Sequence, residues 1–285
     1  KPFADRYAAM RALVEVVLAY TVEHGATIQA LRRAARQAAA SQRTWPVLWK
    51  PDYSRPASFR FKGYAAVQRP SQLGNYLRLA YDRNQPWERD IAWFNRCVVE
   101  LAVSTPRSYL IPQAWREVIN RLQWNGVVLE RLAADQVFNG QAYLIDTVES
   151  RPGPYEGHMF HDGLSLRSVD ATVKARAGDV LVHLDQPRAR YAVETLEPQA
   201  HDSFFRWGFF NSILEKKEAF SDYVFEDTAQ EMLEQEPALR EAFARWQAEN
   251  PDKLSDQQAV LSFIFATGQR HAEPEWRRYP VLRVI

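Results

Sequence analysis

Apolar residues recur at Leu13, Val16, Val17 and Tyr20. This i, i+3, i+4, i+7 spacing predicts amphipathic helix across residues 4–40. His24-Gly25 predicts a break, because glycine commonly follows the last helical residue. Thr27 is placed to cap a second helix from Ile28 to about Ala40, so the pair reads as a helical hairpin. After residue 43 the texture changes. Prolines 46, 51, 56, 70 and 86 punctuate short runs. Phe59-Arg60-Phe61-Lys62-Gly63-Tyr64 alternates apolar and polar, the period of a half-buried strand. Cys97 to Val103 predicts another. Residues 43–105 therefore read as a β-rich connector.

Residues 106–200 mix strands and helices most clearly. Arg107 to Ile111 predicts a strand, and Pro112 suits the first turn of the helix after it. That helix places Trp115, Val118, Ile119 and Leu122 on one face and ends at Asn125-Gly126. Val127 to Leu132 predicts the next strand, so the segment reads as a βαβ unit with a parallel pair and a right-handed crossover. Tyr143 to Val148, Leu164 to Val173 and Val180 to Leu184 predict further strands. Residues 187–196 predict a helix with Tyr191, Ala192 and Leu196 toward the sheet. Residues 201–285 read as mainly helical: Ser203 to Lys217, Thr228 to Gln235, Ala238 to Glu249 and Asp256 to Phe265, the last capped by Asp256. Arg278 to Ile285 predicts a strand docked on the body. The fold class is thus α/β in the broad sense, a mixed α+β chain.

Composition narrows the function classes. Lys+Arg 36 against Asp+Glu 35 leaves a formal charge of +1, which argues against nucleic acid as a main partner. No apolar run reaches the roughly 18 residues a membrane span needs. Leu13 to Tyr20 is the best stretch, and Glu15 interrupts it. A single cysteine, Cys97, excludes an internal disulfide and a cysteine metal cluster, and reads as a small buried hydrophobe. The chain begins Lys1-Pro2-Phe3, which predicts a processed form or a piece of a longer protein.

No catalytic constellation emerges. There is no Gly-x-Ser-x-Gly elbow and no phosphate loop; Ile111-Pro112-Gln113-Ala114 stands where a nucleotide fold needs glycines. None of the six histidines (24, 158, 161, 183, 201, 271) is followed by Glu three residues on. His158 and His161 are the one close pair, with Asp162 beside them. Their spacing permits shared coordination on a turn, but two hydrogen-bonded loop histidines is the blander reading. We assign no catalytic and no metal-binding residue. Glu194 and Glu197 share one side of a helix and read as a solvated face.

Binding is better supported. Arg151-Pro152-Gly153-Pro154-Tyr155-Glu156-Gly157-His158 is a rigid loop offering phenol, carboxylate and imidazole together. Phe204, Phe205, Trp207, Phe209 and Phe210 exceed what one helix face can bury, so some meet a second element, a partner domain or a ligand. Asp202 reads as the cap of the helix that carries them. The candidate substrate-binding residues are Tyr155, Glu156, His158, Arg206 and Trp207.

Several ordered segments resemble bacterial zinc carboxypeptidase-like proteins with an extra C-terminal region. They are Lys1 to Arg6, Tyr109 to Trp115, Pro154 to His158, Gly178-Asp179, Asp185 to Pro187, Val193 to Phe210 and Phe220 to Asp227. The resemblance spans nearly the whole chain, and no segment of it is a catalytic motif. It implies that residues 1–42 are like the end of a carboxypeptidase catalytic domain, and that 106–200 are like a flavodoxin or amidotransferase layer without the nucleophilic cysteine. It implies zinc in the full-length protein, held upstream by a His-x-x-Glu pattern and a later His that this chain lacks. The partners implied are that upstream catalytic domain and a peptide or protein substrate, in a secreted or periplasmic setting. The other reading of the residues is a non-catalytic peptide- or glycan-binding module.

Overall fold

The structure is a computed structural model that describes residues 2–215, 219–268 and 276–285. His271 and the end of the predicted helix at Lys216-Lys217 lie outside the described residues. Two compact units form: Arg43–Ser104, and Lys1–Gln42 together with Thr105–Ile285.

In the smaller unit, β1 (Thr44–Pro51) pairs antiparallel with β4 (Cys97–Ser104). The long ribbon of β2 (Ala57–Pro70) and β3 (Leu77–Trp93) is also antiparallel. Its alternation sorts the side chains. Phe59 meets Trp93 and Phe61 meets Trp87, each pair with ring centroids 5.4 Å apart. Arg60 and Lys62, on the opposite face, ion-pair with Glu88. Gly63 is required where Trp87 crosses, since a Cβ there would lie 2.8 Å from that ring. Cys97 is exposed, which corrects its reading as a buried hydrophobe. It stands at the first position of its strand.

In the larger unit, α1 (Phe3–Ala39) is one continuous helix, not the predicted hairpin. Gly25 has nothing within 4 Å of where a Cβ would be. No neighbour forces a turn there, and the helix absorbs the roughly 1 kcal/mol propensity cost of glycine. Phe3, Tyr7, Met10, Leu13, Val17 and Tyr20 are all exposed along it.

The body is a six-stranded sheet. Its strands are β5 (Ser108–Ile111), β6 (Glu130–Arg131), β7 (Gln136–Ser150), β8 (His161–Ala175), β9 (Val180–His183) and β10 (Leu282–Val284), in the order β6-β9-β5-β10-β7-β8. The mixed α+β class holds, but the parallel βαβ reading does not. Every pairing in this sheet is antiparallel, and β6 pairs with β9 rather than β5. The layer is therefore not flavodoxin-like in its strand directions. Helix α2 (Arg116–Trp124) buries Val118, Ile119 and Leu122, as its periodicity predicts. The strand predicted over Val127 to Leu132 shortens to two residues.

Two features shape the sheet. The C-terminal β10 enters between β5 and β7, with Leu282 opposite Leu110 and Arg283 opposite Gln141. Gly140 admits it: a Cβ there would sit 2.1 Å from the Arg283 carbonyl oxygen. Second, a single turn joins β8 to β9, closed by Asp179 N–H donating to Arg176 O at 3.0 Å with Gly178 at φ +95°. Three strands separate β8 from β9 in the sheet order. A flat sheet would demand about 19 Å across four strand spacings, whereas such a turn spans about 7 Å. The sheet therefore curls, and its apolar face (Leu110, Ala142, Ala175, Leu181, Leu282, Val284) closes on itself.

The other face is covered by α3 (Ala189–Leu196) and the aromatic segment after it. Tyr279 donates to the Leu196 carbonyl at 2.7 Å, and Phe210 packs between Trp115 and Tyr279. The predicted helix from Ser203 does not form over the described residues. Successive turns replace it, with Gly208 at φ +76° and one short 3-10 turn at Asn211–Ile213. Helices α4 (Asp222–Gln235), α5 (Pro237–Glu249) and α6 (Gln257–Thr267) share a separate core around Phe225, Met232, Leu261 and Phe265. Asp256 caps α6 as predicted, accepting from Ala259 N–H at 3.1 Å.

Candidate functional site

The candidate site is built where the β7–β8 connection, residues 151–160, meets the turns at 202–209. Tyr155 and His158 exchange both backbone hydrogen bonds, at 2.9 and 3.0 Å. Between them Glu156 (φ 49°) and Gly157 (φ 82°) are both left-handed, the backbone of a tight hairpin turn matched to strand twist. Glycine takes that conformation freely; Glu156 takes it at a cost. The turn presents Glu156 at its exposed tip and lays Tyr155 and His158 over Trp207.

The Trp207 ring is flanked by Tyr155 (6.1 Å between centroids), His158 (5.8 Å) and Phe160 (5.1 Å). His158 also lies 5.1 Å from Phe209. Two cations rest on this aromatic surface: Arg151 at 4.6 Å from the Phe160 ring and Arg121 at 4.5 Å from Phe209. Asp162 fixes Arg151 through two hydrogen bonds, at 2.8 and 3.0 Å. The same guanidinium holds the Asp162 carboxyl below its usual range. Trp207 Nε1–H donates to Asp202, so that carboxylate orients the indole instead of capping a helix. The result is a half-exposed platform with two cations at its edges and Tyr155, 49% exposed, at its rim. Arg121 is likewise ion-paired, to Glu117, so what the platform offers is its flat π-faces, which suit apolar or aromatic side chains.

Of the five residues singled out in the sequence, Tyr155, His158 and Trp207 come together, Glu156 stands at the turn tip, and Arg206 lies underneath. The Arg206 guanidinium faces inward, donating to the carbonyls of His161 (3.1 Å), Asp162 (2.6 Å) and Gln199 (3.4 Å). Burial pulls its pKa down, with Asp162 opposing. Arg206 thereby clamps the aromatic segment to the start of β8. His161 is buried as well, with Ser150 Oγ 2.8 Å from Nδ1 and Asn211 Oδ1 2.8 Å from Nε2. Both its ring nitrogens are committed, Asp162 is held by Arg151 and His158 stacks on rings. These residues do not fit a zinc ion. Among the described residues no group of three or more His, Cys, Asp or Glu is placed to hold a metal.

The residue the sequence misread is Glu197. It is 1% exposed, not solvated. Tyr109 and Tyr143 donate to its two oxygens at 2.6 and 2.8 Å. Arg283 Nε lies 3.1 Å from Oε1, a charge contact outside hydrogen-bond geometry. Burial pushes the carboxyl pKa up, partly offset by Arg283 and the two phenols. Burial, and then the neighbouring carboxylate, push both phenols up. The available signal was Arg283 itself, a lone cation inside the apolar strand Val281 to Ile285, which demands a buried partner.

Comparison with known proteins finds partial relatives. The chain is 32% identical over 108 residues to Carboxypeptidase 2 of Trichophyton tonsurans, covering 38% of this chain and 20% of that protein. The Trichophyton rubrum Carboxypeptidase 2 matches at 32% over the same length. Probable carboxypeptidase 2 of Arthroderma benhamiae matches at 30% over 102 residues, 36% of this chain and 19% of the relative. The match thus spans about a fifth of the length of these curated relatives. No family model and no solved structure matches. The similarities support a distant carboxypeptidase-like relationship and a peptidase-like region. No helix among the described residues is long and apolar enough to cross a membrane.

Proposed function

We propose that this chain is a substrate-engaging and scaffolding region of a carboxypeptidase-like peptidase, and that it does not hydrolyse peptides by itself. The observation that carries this reading is the Tyr155–His158–Trp207 platform with Arg151 and Arg121 at its edges. A peptide's apolar and aromatic side chains stack on the exposed ring faces, while Asp162 and Glu117 hold Arg151 and Arg121 in place beside them. Arg206 and Asp202 hold the platform in shape. Hydrolysis belongs, in this reading, to an upstream catalytic domain whose zinc supplies the activated water, in a secreted or periplasmic protein. The exposed apolar residues of α1 support such a partner, since a run of exposed Phe3, Tyr7, Met10, Leu13 and Val17 is a surface that gains by being covered.

Peptide binding by the chain tests this. Peptides with aromatic residues should bind, and Trp207→Ala should weaken them about tenfold, the worth of roughly one buried aromatic contact. Equal binding by the variant refutes the platform. Oligosaccharides bound in place of peptides, with the same loss at Trp207, support the glycan-binding module instead. Peptide hydrolysis by the chain alone overturns the division of labour.

A further inference from the structure

The β2–β3 ribbon ends in a tip whose charge sets it apart from the rest of the chain. Residues 57–93 carry six Lys or Arg against three Asp or Glu, and from Ala66 to Tyr81 the only charged residues are Arg69 and Arg78. These two stand directly opposite each other across the strands. Opposed side chains share a face of the ribbon, so two like charges are held side by side, an arrangement that costs stability. Both are exposed, and among the described residues neither guanidinium enters an ion pair. The nearest acid on their face is Asp82, about 14 Å along the strand from Arg78. Its two oxygens accept from Asn84 N–H and from Gln85 Nε2, each at 3.0 Å. The ribbon therefore leaves both cations unanswered.

Apolar groups surround them. Leu77, Leu79 and Tyr81 alternate onto the opposite face and are all exposed, and Leu73, in the turn, is 90% exposed. The turn is held by its own hydrogen bonds. Ser71 N–H donates to the Tyr76 carbonyl at 2.9 Å, and Ser71 Oγ accepts from Leu73 N–H at 3.1 Å. The apolar strip is about 10 Å wide and, from Leu77 to Tyr81, about 14 Å long. That is far below the roughly 800 Å² per partner of a stable protein interface. A second copy docked here about a two-fold axis would bring four arginines together. A free anion would answer the arginines and leave the leucines in water. A lipid surface answers both, since its headgroup layer takes apolar side chains to a depth of about 5–10 Å and an anionic surface attracts arginine. At that depth the polar backbone of the turn stays in the hydrated layer and out of the hydrocarbon.

We infer that the ribbon tip docks on an anionic lipid surface. Leu73 and Leu77 enter the interfacial layer, and Arg69 and Arg78, one residue pair behind Pro70 and Leu77, lie on the lipid phosphates.

The test is co-sedimentation of the whole chain with vesicles of phosphatidylcholine, with and without phosphatidylglycerol. Binding is expected only where phosphatidylglycerol is present, and it should weaken as salt rises. Arg69→Gln with Arg78→Gln should lower the affinity about twentyfold, at roughly fivefold for each arginine near an anionic surface. Leu73→Ser should lower it about tenfold or more. All three side chains are exposed, so neither variant should lower the thermal unfolding temperature, and the double variant, freed of its repulsion, should if anything raise it. Failure to sediment with the anionic vesicles, equal binding to phosphatidylcholine alone, or unchanged binding by either variant would overturn the assignment. So would release by inorganic phosphate beyond that caused by chloride at the same ionic strength, which would give the arginines to a free anion. Self-association of the lipid-free chain that is lost in Leu73→Ser would overturn it in favour of a second copy. None of these residues belongs to the aromatic platform, so failure here leaves the peptide-binding reading standing, and the reverse holds.

Discussion

Tyr109→Phe isolates the sharpest energetic claim. The change deletes one hydroxyl that is buried and donates at 2.6 Å to the buried Glu197 carboxylate. A hydrogen bond to a charged group contributes about 1.5–3 kcal/mol, and the phenyl ring leaves packing nearly unchanged. The upper half of that range applies, because burial already works against Glu197's charge and one of its two phenol donors disappears. Arg283→Met goes further: it leaves the carboxylate buried without its cation, a loss of about 3–5 kcal/mol. Both are large beside a total stability of about 5–15 kcal/mol. Urea unfolding checks them, through a lower midpoint at an unchanged slope. Tyr109 and Tyr143 share one acceptor, so their Phe variants should not add. A Tyr109→Phe loss below about 0.5 kcal/mol, the range of surface substitutions, would refute the reasoning.

Other outcomes follow from the same contacts. Glu197's folded pKa lies above its unfolded value, so its contribution is fully present below the unfolded pKa and is lost as pH rises through the folded one. Stability should therefore gain on mild acidification, and Glu197→Gln should flatten that part of the pH profile in calorimetry. Tyr109 and Tyr279 are also raised, so stability should fall as pH climbs above the ordinary tyrosine range near pH 10. Gly140→Ala should displace β10, because its Cβ would lie 2.1 Å from a backbone oxygen; about 3 kcal/mol or more is expected, read as a lower Tm. Arg206→Met should loosen the 198–207 segment and speed hydrogen exchange at His161, whose N–H donates to the Arg206 carbonyl at 2.8 Å.

Local chemistry was legible in the sequence wherever one element settled it alone. The Asp256 cap, the amphipathic α2 and the alternation in β2 needed no distant partner. What misled was information held elsewhere in the chain. Strand–helix–strand order from Arg107 to Leu132 is compatible with a parallel pair. The neighbours of β5 are set by β9 and by β10, some 170 residues away, and by the glycine at 140 that lets β10 in. The aromatic density at 204–210 correctly signalled more rings than one helix face can bury. The chain resolves this by turning at Gly208 instead of lengthening a helix, which sends Phe204, Phe205 and Phe210 inward and leaves Trp207 and Phe209 at the surface.

Glu197 shows why the site was only half readable. Its spacing from Glu194 gives one helix side, and Glu194 does stay near solvent, paired with Arg190 at 2.7 Å. But α3 ends at Leu196, and Glu197 has already left helical geometry at ψ 115°. Its side chain turns to the sheet, where two tyrosines from separate strands and an arginine near the C-terminus converge. The platform is different in kind. Tyr155 and His158 are joined by their own turn, so the sequence shows their proximity, whereas Trp207 reaches them through contacts between distant segments, among them Arg206's grip on His161 and Asp162 and the His161–Asn211 hydrogen bond. The buried Arg206 side chain thus helps to make the exposed aromatic surface one platform rather than two loops.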